Sequence, residues 1–186
     1  AFVTADGSVR LPLNVSESRR TGTGRFVSAH AGAGVHHVAF IAADAAAAID
    51  AAASLVFAYG VGLDLPRRDL QAAAKAKGLP WDTGKGFDHS APVSALLPVA
   101  EAGDISALAL SLEVNGERRQ QSGLDQLVWD VPEILHELSK LYALRAGDLV
   151  FMGTPAGVAA LQPGDRFHAR LGEIADLQGR ILPAAM

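Results

Sequence analysis

The stretch "GVGLDLPRRDLQ" (residues 60–71) sets one acid, Asp64, just ahead of Arg67, Arg68 and Gln71, and Lys85 follows in a loop between two glycines. Hard divalent cations are held by oxygen ligands, so Asp64 could supply one. An aspartate before Leu65-Pro66 is equally a good helix N-cap, and residue type alone leaves both open. Arginine forks bind carboxylates bidentately, though Arg67 and Arg68 also suit a solvated helix face. Lys85, taken alone, reads as an exposed loop lysine, and Thr154 in "GTPAGV" as the start of a Pro-Gly turn. His89 and His168 titrate near neutrality and could move a proton, but no partner for either is visible. His36 and His37 are neighbours on an expected strand and point opposite ways, so one at most can face a given site. His30 and His136 read as surface residues.

These residues need a frame. Two short extended runs, "AFVTA" and "VRLPL", are split by a turn at Asp6-Gly7, and residues 15–34 read as a glycine-punctuated connection. "VHHVAFIA" (35–42) is a short apolar run expected as a buried strand, followed by an alanine-rich helix from Asp44 to Ser54. "LVFAYGVGL" is apolar and strand-like, and "PRRDLQAAAKAK" is helical, with Pro66 in its first turn and Gly78 past its end. Residues 79–92 are too rich in Gly, Pro and Asp for regular structure, which in a compact domain often marks function. Asn115-Gly116 signals a hairpin between "ALALSLEV" and "RRQQS". Ile134, Leu135, Leu138 and Leu141 form one apolar helix face within residues 131–144, expected in the core. "DLVFMG", "DRFHARL" and "DLQGRIL" are expected as closing strands. The order is that of a strand-dominated α+β domain with two short helices.

Bulk composition narrows the function. With 186 residues, 49% of them hydrophobic, the chain can bury a proper core. Lys plus Arg number 16 against 20 Asp plus Glu, a net charge of -4 that leaves no basic footprint for nucleic acid or an anionic membrane. Cysteine is absent, which excludes disulfides, thiolate metal sites and cysteine nucleophiles. No apolar stretch approaches the roughly 20 residues that span a bilayer. The cytoplasm is the expected compartment.

Five segments in order, "GVGLDLPRRDLQ", "GKGFDHSAP", "VNGERRQQ", "VWDVPEILHELS" and "LRAGDLVFMGTPAGVAALQPGDR", resemble the fumarylacetoacetate hydrolase family over residues 55–182. The "RRDLQ", "PWDTGKGFDHSAP" and "GERRQQ" details resemble its fumarylpyruvate hydrolase branch. The resemblance implies a mixed β-roll, usually dimeric, and a hydrolase that cleaves a C–C bond of an acylpyruvate during breakdown of aromatic compounds. It also implies a divalent cation, Mg²⁺, Mn²⁺ or Ca²⁺, on Asp64. Arg68, Gln71 and Thr154 match positions that face the substrate, a small diketo acid, and Lys85 matches the lysine beside the metal, where an ammonium would stabilise the departing enolate. Where the family carries two glutamates one residue apart after a histidine pair, this chain has Val38, Ala39 and Phe40 after His36-His37. Asp64 is then the single family ligand present, and whether the chain turns over substrate is left open.

Residues 1–53, with "DGSVRLPLN" and "GVHHVAFIAAD", instead resemble the vicinal-oxygen-chelate domain of 4-hydroxyphenylpyruvate dioxygenase and of some 3-dehydroshikimate dehydratases. There His37 matches a metal-binding histidine, with Fe as the metal. This implies an appended segment over residues 1–54, a hydrolase-like domain over 55–186, and a dioxygenase, lyase or non-catalytic fusion remnant as the alternative function.

Overall fold

The computed structural model describes residues 2–3, 9–10, 34–41 and 53–183, with side chains from residue 54 onward. Two four-stranded antiparallel sheets hold the core. The first has the order β5-β4-β3-β8, from β3 (Gly34–Ile41), β4 (Val56–Asp64), β5 (Leu97–Pro98) and β8 (Leu149–Phe151). The second has the order β10-β9-β6-β7, from β6 (Ala109–Val114), β7 (Glu117–Gly123), β9 (Arg166–Leu171) and β10 (Ala175–Arg180). Two short strands, β1 (Phe2–Val3) and β2 (Val9–Arg10), pair with each other. The expected division at residue 54 falls in the link between β3 and β4, which pair along their lengths. The helix expected over residues 44–54 lies outside the described residues except at Ala53–Leu55, a single 3-10 turn.

Alternation makes the core. Val61 and Leu63 of β4 meet Leu110, Leu112 and Val114 of β6 and Phe167, Ala169 and Leu171 of β9, all buried. Asn115 and Gly116 have φ of 55° and 83°, the left-handed pair that a two-residue hairpin between β6 and β7 demands. A second cluster joins Val56, Val150 and Met152 to Val131, Leu135 and Leu138 of the helix Val131–Ser139. That helix starts at a capping box: Asp130 accepts from the Glu133 N–H while Glu133 accepts from the Asp130 N–H. It stops at Ser139, short of the expected 144, so Leu141 falls beyond the apolar stripe and is exposed. His136, expected at the surface, is half-buried.

Helices are few, as expected: α1 (Arg68–Lys77), the single turns α2 (Asp82–Lys85) and α3 (Val99–Ala102), and α4, the helix just described. The α+β, strand-dominated expectation holds, and the sheets of the described residues do not close into a barrel. No helix among these residues is long and apolar enough to cross a membrane.

Candidate functional site

Asp64 is the last residue of β4, and the cap position of α1 is Arg67, with no side-chain cap bond. The capping alternative for Asp64 is thereby corrected. Leu65, Pro66 and Arg67 separate the carboxylate from the helix, and Pro66 precedes the first turn rather than entering it.

Lys85 reaches Asp64 because its turn is docked on α1. Gly84 is buried, and a Cβ there would come within 3.1 Å of the Gln71 backbone nitrogen, so the turn packs tightly on α1 at a residue without a side chain. Its carbonyl accepts from the Arg67 N–H at 2.7 Å, and the Arg67 guanidinium lies 4.5 Å from the centre of the Phe87 ring. Arg67 is thus more than a solvated face. The stretch then runs back along the side of β4 away from β3: Leu65 donates to the Ser90 carbonyl, Leu63 to that of Pro92, and Val61 to the Ser94 hydroxyl. The result is a contact of 2.5 Å between Lys85 Nζ and Asp64 Oδ2, with 12% and 21% of the two side chains exposed. Lys85 is therefore no loose surface lysine.

Arg68 and Gln71 lie one helical turn apart on α1. Burial pulls the Arg68 guanidinium below its ordinary pKa while the nearby Asp64 charge pushes it back up. Its Nη2 donates to the Ala159 carbonyl at 2.6 Å, which ties α1 to the segment after β8. Gln71 is 3% exposed, and its Nε2 is buried without a hydrogen-bond partner. Such a buried amide is a donor that a ligand oxygen could satisfy. Thr154 starts the same segment, and its Oγ1 accepts from Gln120 Nε2 at 3.0 Å. Asp64, Lys85 and Arg68 are thus brought together, with Gln71 one helical turn from Arg68 along α1 and Thr154 in the segment that Arg68 anchors. Sequence reasoning passed over Gln120, whose one signal was a polar residue at an inward position of a strand.

The donor chemistry at Asp64 suits a hard cation, but the donor number does not. Among the described residues no group of three His, Asp or Glu side chains converges. Asp64 already holds an ammonium. The backbone places positions 36, 38 and 40 of β3 opposite Gly62, Gly60 and Ala58 of β4. Positions 38 and 40, a valine and a phenylalanine, offer no ligand oxygen from their side chains. The described residues do not complete a metal site. His37 pairs in register with Val61, and its side chain lies outside the described residues. His89 is exposed at φ 63°, and His168 is remote in sequence on β9, where it bonds to Asp176.

This fold is shared with known proteins. Residues 9–182 match the C-terminal model of the fumarylacetoacetate hydrolase family. The chain belongs to that family. The fumarylpyruvate hydrolase of a Ralstonia species is 43% identical over 139 residues, covering 73% of this chain and 70% of that protein. The Escherichia coli (strain K12) oxaloacetate tautomerase is 46% identical over 108 residues, 58% of this chain, and the match spans 49% of that protein's length. The Pseudomonas aeruginosa fumarylpyruvate hydrolase, solved with Mn²⁺ and pyruvate, superposes with a TM-score of 0.79 at 36% identity, over 98% of this chain and 74% of that one. The family match crosses residue 54 and does not favour the vicinal-oxygen-chelate reading of the first segment.

Proposed function

We propose that the Asp64–Lys85 site binds a diketo acid and that the chain works as an acylpyruvate hydrolase of the fumarylpyruvate type. Water adds to the acyl carbonyl, the C–C bond to the pyruvyl methylene breaks, and the enolate takes up a proton to give pyruvate beside a carboxylate such as fumarate. Arg68 binds a terminal carboxylate. The buried Gln71 amide donates to a substrate oxygen, and Lys85 places its ammonium against the charge that develops on the enolate. Thr154 offers a hydroxyl to a carboxylate or carbonyl oxygen. The contact of Lys85 with Asp64 at 2.5 Å carries this reading, since it sets a fixed cation beside an acid in a half-buried place.

A divalent cation, Mn²⁺ as in the Pseudomonas relative or Mg²⁺, would supply Lewis acidity if it were bound. Asp64 is the residue that would hold it. With valine and phenylalanine at positions 38 and 40, both cation affinity and turnover are expected to be low. A dimer, a cytoplasmic setting and a place in aromatic degradation belong to the same proposal. The test is the fall in ultraviolet absorbance of fumarylpyruvate with Mn²⁺ present, together with the melting temperature as Mn²⁺ is added. A rise in melting temperature that Asp64→Ala abolishes, with slow decay of the acylpyruvate, supports the reading. A flat trace at a site that does bind Mn²⁺ rejects the hydrolase.

A further inference from the structure

We infer that Gln120 is a positioning residue that fixes both the place and the hydrogen-bond polarity of Thr154. This rests on the reading of Thr154 as a substrate contact. Gln120 sits on β7, in the second sheet, whereas Thr154 follows β8 of the first, so the link bridges the two. Its side chain is 1% exposed. Its Nε2 spends both hydrogens on one segment, donating to Thr154 Oγ1 at 3.0 Å and to the Pro155 carbonyl at 2.7 Å.

Direction matters here. A hydroxyl that accepts from an amide has its own O–H turned elsewhere. Thr154 is therefore presented as a donor, the polarity that a carboxylate or carbonyl oxygen requires. The rest of the segment, which has no regular secondary structure over residues 152–162, is held at two further points. Arg68 bonds the Ala159 carbonyl from α1, on the Asp64 side. Gly157, at φ 101°, lies so close to β7 that a Cβ would come within 2.0 Å of the Arg119 carbonyl. A loop pinned in this way holds a hydroxyl without paying its ordering entropy when a ligand arrives.

The test uses the full chain with Mn²⁺ present and pyruvate as the probe, by titration calorimetry. Gln120→Glu keeps the shape and replaces the donor with an acceptor. It should weaken pyruvate binding about tenfold, the loss expected for one misdirected hydrogen bond. In a Thr154→Val background the same change should cost less than about twofold, while Thr154→Ser should preserve the coupling. Equal losses in both backgrounds overturn the inference, since a merely structural glutamine does not care about the hydroxyl. Gln120→Met, which brings no charge into the buried site, repeats the cycle should the carboxylate unfold the chain. Hydrogen exchange of residues 153–161 is read in parallel. Faster exchange in Gln120→Met than in Thr154→Val supports the tether, and unchanged exchange overturns it. Failure of the wild type to bind pyruvate overturns the acid-binding reading, and the exchange result then decides the tether separately.

Discussion

Lys85 with Asp64 and His168 with Asp176 are both acid–base pairs, but the first keeps 12% and 21% of its side chains exposed and the second 21% and 55%. The first is assembled from a strand end and a docked turn 21 residues away; the second lies across the two-stranded turn of β9 and β10. Beside Asp64 stands Arg68, one helical turn from the buried Gln71. Around Asp176 stand Arg170 and Gln178, in a polar network on a solvated sheet face. Water screens the outer pair and leaves the inner one much of its field. The same two charges can therefore be decoration in one place and a site in another.

The largest effect should come from the segment that overlooks the inner pair. Gly157→Val combines a positive φ with a clash against the Arg119 carbonyl, and should cost about 3 kcal/mol in urea unfolding. A loss under about 1 kcal/mol would mean that the segment yields easily and does not shape the site. Next in size, Lys85→Met leaves a half-buried carboxylate without its ammonium and should cost about 1–2 kcal/mol. A double-mutant cycle with Asp64→Asn should give a coupling of about 1 kcal/mol, against less than about 0.5 kcal/mol for His168→Gln with Asp176→Asn. Equal couplings would erase the distinction between the two regions.

The smallest effect is one of pH. The hydrogen bond from His168 holds the Asp176 carboxyl below its ordinary pKa, with help from the His168, Arg170 and Gln178 groups around it. A carboxyl depressed in the folded state adds stability that is fully present above the unfolded value. That stability is lost as pH falls through the folded one. Asp176→Asn should therefore lower the melting temperature slightly at neutral pH, with the difference from wild type vanishing in acid. A difference that grew in acid would reverse the assignment.

Local signals were legible in the sequence, and long-range ones were not. Asn115-Gly116 announced its hairpin because the turn chemistry is complete in two residues. The apolar stripe on α4 was visible too, yet Leu141 was misplaced, since periodicity does not say that the helix stops at Ser139. The acid, lysine, arginine and glutamine of the site were picked out by their resemblance to a family pattern. Spacing alone allowed Asp64 to cap a helix, and only the observed β4 end removes that option. Gln120 and Thr154 are 34 residues apart on different sheets, a separation that no local rule spans. His168 found its partner across a hairpin, and a correct strand register for β9 and β10 would have revealed it.

The stretch from Ser90 to Pro98 has an implication for the molecule in company. It shadows β4 along its outer side and takes up the strand's amide hydrogens at Val61, Leu63 and Leu65. Ser94 in turn donates to the Val61 carbonyl and β5 takes up the pairing at Ala58 and Tyr59, so this side of β4 is occupied. A border closed in this manner offers a neighbouring molecule little to zip onto, which guards against sheet growth between copies. The loop that delivers Lys85 thus also works as a selvedge.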